Sequence, residues 1–91
     1  MKKEPSHVPF LADYPNPFST YDLGACAGLV CAGYKLLGID KGHGAKALFL
    51  FENSDEIIES AQMYWRGELQ VDALAYFNAL KNIKNQLYSQ Q

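Results

Sequence analysis

The sequence predicts one α+β domain: a buried helix, a β-hairpin and two C-terminal helices packed on the sheet, preceded by an extended arm. Three observations predict this class. All four prolines lie within residues 1–17, where they fix φ and remove amide donors, which predicts the arm. Apolar residues then recur at helical spacing in three segments, separated by one stretch of period two. The remaining residues, 18–91, are enough for a single core and too few for two.

The segment FSTYDL is typical of a helix start. Ser19 or Thr20 can cap the helix, and Asp22 places an acid in its first turn. The helix is expected from about Thr20 to Ala32, and Gly33 is well placed as the left-handed residue that ends it. Because the helix is apolar nearly all round, it should be buried.

The same helix carries two glycines and both cysteines of the chain. Gly24 and Gly28 leave a smooth side, where another backbone can approach closely. Cys26 and Cys31 are five residues apart, roughly 140° around the helix axis, so they cannot readily form a disulfide with each other. They are expected to be buried thiols. No compact set of metal ligands or cofactor-binding motif is present.

The period changes to two after the helix, where YKLLGID and AKALFLFE flank KGHG. This pattern predicts a β-hairpin in which Gly42 and Gly44 supply positive φ. An anion-binding loop in KGHGAK is the alternative, disfavoured because phosphate loops feed a helix and this one feeds a strand. Both faces of the second strand are apolar, which implies cover on two sides or an interface on one. These faces are Ala47, Phe49 and Phe51, and Leu48 and Leu50.

Two more helices are predicted after the hairpin. Asn53 is expected to cap the first, which has acids in its first turn and stops at Gly67. Asp72 is expected to cap the second, which runs to about Ser89. The predicted inward faces are Ile57, Ile58, Ala61, Tyr64 and Trp65 on the first, and Ala73, Tyr76, Leu80, Ile83 and Leu87 on the second.

A mixed aromatic and basic face lies beside the core stripe of the last helix. The favoured interpretation is that Phe77 is buried and that the neighbouring lysines extend along apolar surface into water. A protein-contact face and a nucleic-acid face are the two alternatives. Either would use the candidate site residues, which are Trp65, Arg66, Phe77, Lys81, Lys84 and Tyr88.

Composition excludes several classes of function. The formal charge of −2 does not match a phosphate polyanion, so nucleic-acid binding would need a local patch. The longest apolar run is shorter than the roughly 20 residues that span a bilayer, and the N-terminus lacks the apolar region of a secretory signal. We therefore expect a cytoplasmic protein without a membrane segment. None of the two cysteines and two histidines has a catalytic partner nearby in sequence. We therefore do not expect an enzyme.

The motifs FSTYDL, GYKLLGID, LFLFENS and YWRGELQVDALAYFNALKNIKNQLY together resemble a family of short bacterial and phage-associated domains of unknown function. The resemblance covers about Phe18 to Tyr88. Where that family often places proline after Asp72, this chain has Ala73, and both residues suit a helix start. The resemblance implies a cytoplasmic accessory domain from a phage or other mobile element, without catalytic residues.

The sequence thus leads to one functional hypothesis and one alternative. The leading hypothesis is a small non-enzymatic protein-interaction module that forms homo-oligomers or binds another protein, and that inhibits or modulates a host complex. Domains of this size are marginally stabilised by their own core, which favours completion by a partner. The alternative is a nucleic-acid-binding accessory protein that uses Arg66, Lys81 and Lys84.

Overall fold

The computed structural model describes residues 16–44 and 46–89 and has the predicted α+β class. Strands and helices follow one another in the order strand, helix, strand, strand, helix, helix. The predicted arm, residues 1–17, lies almost wholly outside the described residues. The elements are β1 (Phe18–Thr20), α1 (Leu23–Cys31), β2 (Leu36–His43), β3 (Lys46–Phe51), α2 (Asp55–Trp65) and α3 (Ala73–Ser89).

The described strands form one antiparallel sheet with β3 between β1 and β2. The predicted hairpin of β2 and β3 is confirmed. On the other side of β3, Phe18 pairs with Phe51 and Thr20 pairs with Phe49. The Phe18 and Phe51 rings meet edge to face with centroids 6.4 Å apart. β1 is therefore an additional strand, formed by residues that were predicted to start the helix.

Helix α1 begins later than predicted because Thr20 is held in the sheet. Asp22 is the N-cap, and its Oδ1 accepts a hydrogen bond from the Ala25 N–H at 3.1 Å. Thr20 Oγ1 accepts from the Asp22 N–H at 3.0 Å and so shapes the turn between strand and helix. The prediction that Ser19 or Thr20 caps this helix is wrong.

The burial of α1 and its end at Gly33 are confirmed. Five consecutive residues of the helix, 25–29, are buried. Gly33 has φ +107°, and the Tyr34 N–H donates to the Leu29 carbonyl at 3.0 Å, which closes the last turn. At the hairpin tip Gly44 has φ +73°, as predicted, but Gly42 lies within β2 without positive φ.

Tyr64 of α2 occupies the smooth side of α1. A Cβ atom at Gly24 would overlap the Tyr64 hydroxyl, and one at Gly28 would lie 3.2 Å from the Tyr64 ring and 3.3 Å from Leu69. The space beside the two glycines is therefore filled by an aromatic side chain. The expectation that another backbone packs there is wrong. Without a Cβ at these positions, α1 and α2 can approach closely enough to share a core.

The caps of the two C-terminal helices agree in part with the prediction. Ser54 caps α2, because its Oγ accepts from the N–H three residues on at 3.1 Å. Asn53 is therefore not the cap. Gly67 has φ +78° and ends α2 as predicted. Asp72 caps α3 as predicted, with Oδ2 accepting from a first-turn N–H at 2.9 Å.

The core lies between β3 and the helices. Ile57 of α2 and Ile83 of α3 share one hydrophobic cluster with Phe49 and Phe51 of β3, so both C-terminal helices pack on the sheet. Leu50 points to the opposite face of β3 and is only 2% exposed, so that face is also covered at this position. The remaining members of the cluster are Cys26, Ala27, Leu29 and Ala61.

The predicted inward faces of α2 and α3 need correction. On α2, Ile57 and Ala61 are buried, whereas Ile58 is 38% and Trp65 is 52% exposed. The buried pair is spaced by four residues and the exposed pair by seven, so the helix has two separate apolar lines. On α3, Ile83 is buried and Ala73 is exposed.

Candidate interaction surface

Helix α3 carries a line of side chains that points away from the core. Successive positions are three or four residues apart, so they lie on one side of the helix. Leu74 is 67% exposed, Phe77 is 55% and Tyr88 is 64%. The interpretation that Phe77 is buried is therefore wrong. This line is called the outer stripe below, and it consists of Leu74, Phe77, Lys81, Lys84 and Tyr88.

The inward side of α3 explains why the outer stripe is exposed. Tyr76, Ala79 and Leu80 pack against the core cluster, to which Ile83 belongs. These residues fill the side of α3 that faces the rest of the domain. Phe77 lies on the neighbouring side of the helix, where the described elements do not cover it.

The outer stripe is basic as well as apolar. The Lys81 ammonium lies over the Phe77 ring, with Nζ 5.4 Å from the centroid. Lys84 is exposed one turn further on, and α3 contains no acidic residue. A cation above an exposed ring contributes about 0.5 kcal/mol. The face therefore offers rings and positive charge together.

Trp65 stands at the other end of the candidate set, on the last turn of α2. Its indole N–H donates to Asp22 Oδ2 at 2.8 Å, and its ring meets Tyr64 edge to face with centroids 6.5 Å apart. The carboxylate of Asp22 thus binds both the α1 N-terminus and the indole. The hydrogen bond fixes the edge of the ring and leaves about half of the side chain exposed.

Arg66 is the candidate residue whose charge is paired with neighbouring carboxylates. Its Nε lies 3.0 Å from Glu68 Oε1, and its Nη2 lies 3.8 Å from Glu59 Oε2. The three side chains are exposed, so these pairs contribute little to stability. They do surround the guanidinium with negative charge, which makes Arg66 a poor phosphate ligand.

Comparison with known proteins gives a family and no function. The sequence pattern of a domain of unknown function (DUF5659) matches residues 16–89. The chain belongs to this family. No curated protein and no solved structure matches the chain.

In this DUF5659 domain, two tyrosines hold the helices that carry the candidate residues. The Tyr76 hydroxyl of α3 donates to the Gly24 carbonyl of α1 at 3.3 Å. The pKa of Tyr64 is raised from 10.0 to about 12, first by burial and then by its hydrogen bond with Tyr76. The Tyr64 hydroxyl therefore remains protonated near neutral pH. The two tyrosines set the position of α3 against α1, and with it the direction of the outer stripe.

The thiols of the DUF5659 domain are protonated at neutral pH. Cys26 is buried, and burial raises its pKa from 9.0 to about 12. Cys31 is only partly buried, so the expectation of two buried thiols is wrong for this residue. The pKa of Cys31 is also raised, first by burial and then by the negative charge of Asp72. A thiolate is the nucleophilic form of cysteine, so neither side chain is activated.

A cleft of about 460 Å³ lies between the α1–β2 connection and the start of α2. Phe51 and Ile57 form part of its wall, and exposed Lys35 and Glu52 lie at its edge. The Tyr34 hydroxyl, also at this cleft, is 3.0 Å from Ser60 Oγ. The DUF5659 domain thus has a cleft with a mixed lining, distinct from the outer stripe.

Within residues 16–44 and 46–89, no group of three or more His, Cys, Asp or Glu side chains is arranged to hold a metal ion. Over the same part of the chain, no helix is long and apolar enough to cross a membrane.

Leu74 and Ile58 are the exposed apolar residues that sequence reasoning missed as contact candidates. A signal for Leu74 was available, because it precedes Phe77 by three residues and continues the line of the outer stripe. Ile58 was assigned to the core with Ile57, although adjacent helix positions point about 100° apart. Tyr21 is a further exposed ring, with Lys46 Nζ 5.6 Å from its centroid.

Proposed function

We propose that this chain is a small non-enzymatic protein-interaction module that binds its partner through the outer stripe of α3. The observation that carries the proposal is the exposure of Leu74, Phe77 and Tyr88 in helical register. Exposed groups of large apolar side chains are typical of protein-binding sites, and aromatic residues are frequent anchors there. Lys81 and Lys84 would give the contact its charge preference.

The proposal extends to a cytoplasmic accessory protein of a phage or other mobile element, which inhibits or modulates a host complex. Its support is the resemblance of the FSTYDL and YFNALK motifs to short phage-associated domains. A small domain with an exposed helical face is suited to this role because it can block or remodel a surface without chemistry of its own.

Nucleic-acid binding is the second candidate, favoured by Lys81 above the Phe77 ring. Stacking rings beside cations are typical of single-strand binding surfaces. Against it, the Arg66 guanidinium already pairs with Glu68 at 3.0 Å. Two lysines on a chain of net charge −2 provide few phosphate contacts.

The first test presents the tagged 91-residue chain to the proteins of cells that express it. Phe77→Asp places a negative charge within the outer stripe, while Asn82→Asp adds the same charge to an exposed position of α3 outside the stripe. We expect a protein recovered with the wild type and with Asn82→Asp to be lost with Phe77→Asp. Recovery that is equal for all three chains would contradict the proposal, provided that circular dichroism shows them equally folded.

The second test separates the nucleic-acid alternative from the proposal. Anisotropy of a labelled single-stranded oligonucleotide is followed in a salt series for the wild type and for Lys81→Glu with Lys84→Glu. Nucleic-acid binding predicts an affinity that falls steeply with salt and is lost in the variant. We expect no salt-dependent binding that distinguishes the two chains.

A further inference from the structure

Helix α2 has an exposed stripe of its own, with the opposite charge. Ile58 and Trp65 are exposed apolar side chains seven residues apart, and Gln62 lies between them. Exposed Asp55 and Glu59 stand on the same side of the helix. Arg66 also lies on this side, where its charge is offset by Glu68 at 3.0 Å. The acidic stripe below consists of Asp55, Ile58, Glu59, Gln62 and Trp65. Within one chain both stripes are exposed, so they do not cover each other.

The acidic stripe and the outer stripe are complementary in charge and in spacing. If two helices lie antiparallel with Trp65 against Phe77, their charged residues coincide. Glu59 lies six residues before Trp65, roughly 9 Å along the axis. Lys81 and Lys84 lie four and seven residues after Phe77, roughly 6 and 10 Å along theirs. Glu59 would then stand between the two lysines.

We infer that the outer stripe of one copy binds the acidic stripe of a second copy of this chain. The inference rests on the proposed function and names a partner for the same surface. A second copy is favoured over a foreign protein because the chain itself supplies both halves of the contact. The ion pair of Glu59 with Arg66 is long and exposed, so it does not withhold Glu59 from such a contact.

Trp65 is the single tryptophan of the chain and lies within this contact, against Phe77 of the second copy, so the wild type reports on it directly. We expect its emission to shift to the blue and its quenching by acrylamide to fall as protein concentration rises. Light scattering on the same samples should show the mass increasing from that of one chain. High salt should weaken the association, because the contact pairs opposite charges.

Charge reversal makes the test specific. One variant carries Lys81→Glu and Lys84→Glu, and the other carries Asp55→Lys and Glu59→Lys. Each alone places like charges across the contact, so we expect at least about tenfold weaker self-association. An equimolar mixture restores opposite charges at every contact and should associate as well as the wild type. Two single variants provide a matched control. Lys84→Glu reverses a charge within the outer stripe and should weaken self-association, whereas Lys35→Glu reverses an exposed lysine outside both stripes and should not.

Three outcomes would overturn the inference: a wild type that stays monomeric throughout the series, equal association of all variants, or folded variants whose mixture does not associate. A monomeric wild type that still loses a captured protein on Phe77→Asp would leave the proposed function standing with a foreign partner. A self-associating wild type that captures nothing else would identify the second copy as the partner.

Discussion

Helices α1 and α3 are both rich in apolar residues, and they use them differently. In α1, small residues allow close packing on several sides, and residues 25–29 are fully buried. In α3, one line of apolar side chains faces the core, while Leu74 and Phe77 on the neighbouring line remain more than half exposed. The comparison shows that apolar content alone does not determine whether a helix is buried in the core. The size of the side chains and the number of packed sides decide how much of it is buried.

The largest expected effect comes from shortening a buried leucine of α1, and an exposed leucine of α3 provides the control. Leu29→Ala in α1 removes a fully buried side chain from the core cluster, and we expect a loss of about 2–5 kcal/mol in the free energy of unfolding. Leu74→Ala in α3 is the matched control and should change it by no more than about 0.5 kcal/mol. Urea unfolding followed by circular dichroism measures both. Similar losses would mean that the outer stripe is covered in solution.

The next prediction concerns the close contact between α1 and Tyr64. Gly24→Ala places a methyl group against the Tyr64 hydroxyl, and overpacking of this kind costs about 1–3 kcal/mol. The double variant Gly24→Ala with Tyr64→Phe removes the overlapping oxygen and should recover part of the loss.

A double-mutant cycle from thermal unfolding tests this contact, with Tyr64→Phe alone as the fourth chain. A coupling energy near zero would show that the two positions do not meet as described.

Features set by local sequence could be predicted, whereas features set by packing between elements could not. The ends of α1 and α2 at Gly33 and Gly67 and the cap at Asp72 follow local rules, and they were predicted correctly. β1 was missed because three residues are too few to show a period, and they form a strand only by pairing with β3. The exposure of Phe77 depends on which side of α3 meets α1, which helical spacing alone does not fix.

The two cysteines of α1 make the stability of the fold depend on pH. Because burial raises the pKa of Cys26 from 9.0 to about 12, the unfolded chain releases this proton at lower pH than the folded chain does. The folded state therefore holds more protons between these values, and stability falls as pH rises above 9, by at most about 1.4 kcal/mol per pH unit. Below pH 9 this contribution is constant.

Urea unfolding at pH 7, 9 and 10 measures the slope. Cys26→Ala should flatten it, because the titrating thiol is gone. The same substitution at Cys31, whose pKa is raised without the full burial of Cys26, should flatten it less. An unchanged slope in Cys26→Ala would assign the pH dependence to another group.

The smallest expected effect on stability comes from the outer stripe itself. Lys81→Ala removes the ammonium above the exposed Phe77 ring, and we expect a loss of at most about 0.5 kcal/mol in the free energy of unfolding. The same substitution removes one of two positive charges from the face that we infer to bind the acidic stripe, so it should weaken self-association. Thermal unfolding and light scattering on one preparation separate the two effects. A small change in the free energy of unfolding together with weaker self-association would show that Lys81 contributes mainly to association. Buried side chains of α1 contribute mainly to the stability of the fold.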